Sequence, residues 1–225
     1  MDLASASATA SSSIEAGCPV VSEGVASLGP LSFACDGTIA GQVWGAGAAL
    51  GRHLLHGGLL QRPDVIEIGS GTGVAGLASA AAGANSVILT DRADVVPMLR
   101  AMIGRNAEAL SGCECSAAAL EWGDESAVPE NGADLILAAD VLYSAEHEVH
   151  EALRSTMIAC ARPRDGTILH CYEERWPKIV AMWRDGVSRC GQMRLVRETV
   201  LESPPGIDRR LVLEEIKLTE DGLFS

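Results

Sequence analysis

The residues best suited to chemistry lie at the ends of short apolar runs. Glu67-Ile68-Gly69-Ser70-Gly71-Thr72-Gly73 follows one such run and opens a helical pattern. Its glycines let the backbone turn sharply and approach a ligand closely. Gly71, Gly73 and Gly76 also satisfy the G-x-G-x-x-G spacing of dinucleotide binders, so the loop alone does not name a ligand. Asp91 ends Val87-Ile88-Leu89-Thr90-Asp91, the position at which an acid accepts hydrogen bonds from ribose hydroxyls. Asp91 as a helix N-cap is the competing reading.

Charge separates the two ligand classes. A pyrophosphate over the loop would meet the carboxylate of Glu67, two residues before the first glycine, and be repelled. The same carboxylate suits a ligand whose amino group and sulfonium lie close together, which describes S-adenosylmethionine. A tight strand-to-helix turn with a surface Glu67 is the plainer alternative. His147-Glu148-Val149-His150 and Cys113-Glu114-Cys115 invite a metal reading, but their spacing fits neither a His-Glu-x-x-His helix nor a paired thiolate set, and no metal is expected.

Something must hold these residues together. After Pro63 short apolar runs alternate with longer helical stretches, the pattern of repeated βα units and a parallel sheet. Strands are expected at Val65 to Ile68, Val87 to Thr90, Cys115 to Leu120, Leu135 to Ala139 and Thr167 to Tyr172. Helices are expected at Trp44 to about His56, Val74 to Ala82, Val95 to Leu110, His147 to Ala161 and Pro177 to Arg189. Met193 to Val200 and Arg209 to Leu218 read as a closing hairpin turned at Ser203-Pro204-Pro205-Gly206. The fold class is therefore α/β: a doubly wound, Rossmann-like, seven-stranded mixed sheet with a C-terminal antiparallel hairpin. Its ligand crevice is expected at the carboxyl ends of the first and fourth strands. Val20 to Gly41 is broken by Gly, Pro and Asp into short strands or turns, and residues 1–17, rich in Ala and Ser, form a low-complexity start expected to stay disordered. Residues 18–225 are expected to form one domain.

Bulk composition narrows the function classes. The 225 residues hold 48% hydrophobic and 21% charged side chains, enough apolar surface for one core. A net charge of −13 disfavours nucleic acid, whose affinity comes from clustered Lys and Arg. No apolar run reaches membrane-spanning length, and neither a secretory signal nor a transit peptide is expected. Seven cysteines without a C-x-x-C pair argue against a disulfide framework, so a cytoplasmic or also nuclear location is expected.

Together, Glu67 to Gly73, Thr90-Asp91-Arg92, Trp122-Gly123 and Ala139-Asp140-Val141-Leu142-Tyr143 resemble the seven-β-strand protein lysine methyltransferases, methyltransferase family 16. Val43-Trp44 resembles that family's Val-Trp-Pro segment, with Gly45 in place of Pro, and Cys171-Tyr172-Glu173-Glu174-Arg175 resembles its fifth-strand end. The resemblance covers roughly residues 37 to 216. It implies that Trp44, Gly69, Ser70, Gly71, Asp91, Trp122 and Ala139 line the cofactor site, joined by Glu67 and Gly73 of the loop. Physical chemistry agrees for Trp122, whose indole can stack on adenine, and for Trp44, which can close over the cofactor; either could instead fill the core. Asp140 and Tyr143 resemble the family's Asp/Glu-x-x-Tyr/Phe motif. A carboxylate there holds an arriving amine while an aromatic face flanks it. Capping by Asp140 and packing by Tyr143 are the alternatives.

These readings converge on methyl transfer from S-adenosylmethionine to the ε-amine of a lysine in a protein substrate. The rivals are a methyltransferase acting on a histidine, a protein terminus or a small amine, a cofactor-binding module without turnover, and, least favoured, a nicotinamide oxidoreductase.

Overall fold

Leu135 to Ala139 is apolar throughout and Asp64 to Ile68 is buried at all but its first residue, the mark of strands covered on both faces. In the computed structural model, which describes residues 11–13, 23–57, 59, 61–203 and 209–219, they lie at the centre of a seven-stranded sheet. In chain order the elements are β1 (Ser11–Ser13), β2 (Glu23–Leu28), β3 (Leu31–Asp36), α1 (Gly45–Gly57), β4 (Asp64–Ile68), α2 (Val74–Ala81), β5 (Ser86–Asp91) and α3 (Val96–Arg105). Then follow β6 (Glu114–Ala119), β7 (Leu135–Ala139), α4 (His147–Cys160), β8 (Thr167–Glu173), α5 (Pro177–Arg189), β9 (Met193–Leu201) and β10 (Leu211–Leu218).

The large sheet runs β6-β5-β4-β7-β8-β10-β9, parallel except that β10 is antiparallel to β8 and β9. From β4 the chain winds outward through β5 and β6, returns to β7 beside β4, and winds the other way. The β4/β7 boundary is thus the switch point, where Ile66 pairs with Ile136 and the carboxyl ends of both strands diverge into loops. Burial falls toward the edges: β4 and β7 are almost wholly buried, whereas β6 and β9 are mostly open.

Two cores result, one on each face. Val65, Leu135 and Leu137 point toward α1, α2 and α3, while Ile66, Ile68, Ile136 and Ala138 point toward α4 and α5. In the second core Glu214 on β10 is 1% exposed and fully engaged. It accepts from Trp183 Nε1 (2.9 Å), Tyr172 OH (2.9 Å) and Arg184 Nε (2.8 Å), and lies 3.2 Å from His170 Nδ1.

The expected seven-stranded mixed sheet and closing hairpin are present, with Pro204, Pro205 and Gly206 of its turn outside the described residues. Of residues 1–17, only Ser11–Ser13 are described, pairing parallel with β2. Val20 to Gly41 contributes a real hairpin, β2 with β3, that the sequence marked only as strands or turns. Its Ala26, Leu28, Leu31 and Phe33 join the first core. That hairpin also shortens α3, which ends at Arg105 and not at Leu110. The Asn106 amide donates to the Ser32 and Met102 carbonyls (3.0 and 2.8 Å) and accepts from Ser32 N–H (2.8 Å), a stop that helical periodicity does not encode.

Candidate active site

At the carboxyl end of β4 the chain turns through Gly69, Gly71 and Gly73 at φ of 64°, 52° and 76°, values that L side chains rarely adopt. Space is as restrictive as the dihedrals. A Cβ on Gly69 would sit 3.1 Å from Val141 and 3.2 Å from the Trp122 indole, and one on Gly71 would sit 3.0 Å from the Ala40 carbonyl. The loop is therefore covered from one side by the segment entering α1, and Thr72 Oγ1 donates to the Gln42 carbonyl at 3.3 Å.

Asp91 ends β5 beside this loop. Its Oδ2 accepts from Gly71 N–H and its Oδ1 from Arg92 N–H, both at 2.8 Å. α3 begins five residues later with Val95 as its N-cap, so Asp91 does not cap that helix. Each carboxylate oxygen keeps a second lone pair, which is what a pair of vicinal ribose hydroxyls needs. The Trp122 ring lies over Gly69 and packs against Tyr143 with centroids 5.7 Å apart. It is half-buried, with one part packed against the second core and the rest at the crevice. Ala139 ends β7 across from Gly47 of α1. These groups fit a nucleoside joined to an amino-acid tail: a flat ring surface, an acid for hydroxyls and a side-chain-free turn.

Three of the expected contacts face inward instead. Ser70 is buried; its hydroxyl donates to the Glu67 carbonyl (3.1 Å) and accepts from Thr90 N–H (3.0 Å), tying β4 to β5. A Cβ on Gly73 would sit 2.9 Å from Leu89, so this glycine serves the close approach of α2 to the sheet. Glu67 is 2% exposed and its Oε2 lies 2.7 Å from where a Cβ on Gly76 would be, beneath the first turn of α2. Burial pushes its carboxyl up to about 8, more than the N–H groups of Gly76 and Ala75 draw it down. Buried beneath the first turn of α2, Glu67 does not present its carboxyl to the crevice. The expectation that it repels a pyrophosphate and attracts a sulfonium is corrected accordingly: odd-numbered positions of β4 point to the α2 face, and the strand's alternation took the side chain with it.

Asp140 follows β7 at a left-handed φ of 61°, a strained position for a non-glycine residue. Its N–H donates to the Cys171 carbonyl (2.8 Å), and its carboxylate pairs with Arg175 Nη2. α4 starts only at His147 with Glu146 at its N-cap, so Asp140 caps no helix. Burial raises the Asp140 carboxyl above the usual carboxylate range, with Arg175 acting against it. Tyr143 is 63% exposed and stands at the mouth, beside Trp122 and not packed in the core. Trp44 precedes α1, anchored by Nε1 to the Ile39 carbonyl at 2.9 Å, with the Arg175 guanidinium over its ring. The structure thus gathers Gly69, Gly71, Asp91, Trp122, Ala139, Asp140, Tyr143 and Trp44 around the switch point. It adds Arg175, whose signal in the sequence was its place just past the end of β8.

A doubly wound sheet with a glycine turn and an acid at its switch point is an architecture shared by Rossmann-like methyltransferases and dinucleotide-binding domains. Among solved structures the chain resembles SMU.776, a methyltransferase-like protein complexed with SAH, at TM-score 0.55 and 13% identity, covering 83% of this chain and 53% of that one. A sequence model described as lysine methyltransferase matches residues 33–182, and the chain belongs to that family. It is 36% identical over 110 residues to the protein N-lysine methyltransferase METTL21A of Danio rerio, covering 48% of this chain and 50% of that one. It is 32% identical over 114 residues to the protein N-terminal and lysine N-methyltransferase efm7 of Aspergillus fumigatus, covering 45% and 44%. The chain spans about half the length of the curated relatives it matches.

Proposed function

We propose that this protein transfers a methyl group from S-adenosylmethionine to the ε-amine of a lysine in a protein substrate. The observation that carries this reading is the meeting, at one switch point, of the Gly69–Gly71 turn, Asp91 and Trp122 with the Asp140/Tyr143 pair on the adjoining loop. Membership of the lysine methyltransferase family supports the acceptor.

In this reading Asp91 holds the ribose hydroxyls, Trp122 covers the base, and Gly69 and Gly71 let the backbone come close. Bound S-adenosylmethionine supplies a methyl on a positively charged sulfur that departs as a neutral thioether. The chain's own residues mainly position. Asp140 receives the cationic side chain at the end of β7, and Tyr143 and Trp122 flank its path. The amine must shed its proton before its lone pair can attack, and the half-open mouth beside exposed Tyr143 gives that proton a way to solvent.

Calorimetry tests the cofactor: S-adenosylmethionine and its demethylated product should bind and NAD should not, and comparable NAD affinity would overturn the reading. Labelled S-adenosylmethionine, added with the protein to a lysate from cells lacking it, should mark protein bands whose label maps to lysine. Label on histidine, on a protein terminus or on metabolites alone would move the acceptor to one of those classes. Tight cofactor binding without any labelling would make the protein a binding module.

A further inference from the structure

Two indoles and two carboxylates converge on one guanidinium beside the Asp140 motif. The Arg175 Cζ lies 5.2 Å from the centre of the Trp44 ring and 5.5 Å from that of Trp176. Its Nη2 pairs with Asp140 and its Nε donates to Glu173 at 3.1 Å. The side chains of Asp140, Glu173 and Arg175 are only 9%, 8% and 17% exposed, so the cation is held where solvent screens weakly. Aromatic faces that attract a cation, with carboxylates that neutralise it, form a cage for a side-chain cation in general. A lysine ammonium carries the same charge as the guanidinium now inside and can be held by the same carboxylates and ring faces.

We propose that this cage is the subsite for the target lysine's ammonium and that Arg175 occupies it in the resting protein, yielding when the target enters. The proposal rests on the protein-lysine reading above. A second cation cannot approach Asp140 while the guanidinium is there, because like charges at one largely buried carboxylate repel.

Three observations favour exchange over a permanent bond. Arg175 sits in the short connection between β8 and α5, so its side chain can swing without moving either element. Glu173 has a second partner in Arg209 Nη1 at 2.8 Å and stays paired when Arg175 leaves, whereas no other cation is bonded to Asp140 among the described residues. Trp176, at 45% exposure, opens the outer wall of the cage to solvent. A tethered competitor acts at an effective concentration on the order of millimolar, so its removal should tighten binding of a free competitor severalfold or more.

The test uses the full chain saturated with S-adenosylhomocysteine, with tryptophan fluorescence reporting binding of N-acetyl-lysine methylamide and of its uncharged norleucine counterpart. Arg175→Met keeps the length of the side chain without its charge. It should bind the lysine probe at least fivefold more tightly than the parent, leave norleucine unchanged, and lose the gain when combined with Trp176→Ala. Arg175→Lys keeps a cation in the cage and should bind the probe as weakly as the parent. Equal or weaker probe binding by Arg175→Met overturns the proposal, as does failure of both variants to fold, which would make the ion pairs permanent supports. A tenfold loss of S-adenosylmethionine affinity in Arg175→Met would overturn it too, by placing Arg175 in the cofactor site. Failure of the parent to bind S-adenosylmethionine strikes the methyltransferase reading itself, a result distinct from any of these.

Discussion

Asp140 shows how much one residue's surroundings decide. Its position at the end of β7, its left-handed φ and its pairing with Arg175 hold a carboxylate at the mouth of the crevice with little freedom to reorient. Asp140→Asn is nearly isosteric, but it replaces an acceptor-only group by one whose NH₂ can face an amine. At saturating cofactor it should lower methyl transfer by roughly 100-fold or more, as loss of an aligned electrostatic contact does, while calorimetry shows cofactor affinity unchanged. Full activity would remove Asp140 from the machinery. Glu67 makes a different prediction. Its carboxyl, raised to about 8 in the folded chain, keeps a proton that the unfolded chain gives up near 4.5. The folded state is therefore favoured by this group at low pH and loses that advantage as pH rises from 4.5 through 8. Glu67→Gln cannot lose a proton, so denaturation midpoints should show the variant gaining on the parent by about 1 kcal/mol or more between pH 5 and 8. A gap that does not change with pH would show the carboxylate ionised and compensated.

At the scale of elements, the site depends on loops clamped by neighbours that are distant in sequence. The β2–β3 hairpin docks on the end of α3 through two hydrogen bonds between Ser32 and Asn106, which is 4% exposed and whose third bond, to the Met102 carbonyl, closes α3 itself. Asn106→Ala leaves the Ser32 N–H and two carbonyls without this partner and should cost about 2 to 3 kcal/mol of stability in denaturant unfolding. Asn106 closes the C-terminal end of α3, the end opposite the one that follows Asp91, so cofactor affinity should not change. A variant of unaltered stability would mean that water replaces the amide without penalty.

For the whole molecule, Glu214 joins β10 to β8 and α5 across the second core. Burial alone would raise its carboxyl, but His170, Trp183 and Arg184 together bring it down to about 2. The stability it contributes is present above pH 4.5 and is lost as pH falls through that value toward 2. Glu214→Gln should destabilise the protein by about 3 kcal/mol at pH 7, the scale expected when one partner of a buried ion pair is removed. The difference from the parent should shrink at pH 3, and chemical denaturation at both pH values checks it. An equal difference at both would place the role of Glu214 in shape and not in charge.

The sequence by itself determined the sheet and the identity of the crevice. The short apolar stretches of β4 and β7, a glycine turn, and Asp91 and Asp140 at strand ends are local signals, because a strand buried on both faces and a backbone at positive φ each restrict residue type where they occur. The tertiary structure alone decided which way side chains face and whom they meet. Glu67 lay at the expected strand end, but the alternation of β4 and the docking of α2 over Gly76 buried it. Asn106 ended α3 by meeting Ser32, seventy-four residues away, and Arg175 reached Asp140 across thirty-five. Such pairings leave no periodicity in the chain, since each depends on two segments being brought together by the burial of others; the cage around Arg175 exists only once β7, β8 and the start of α1 have packed.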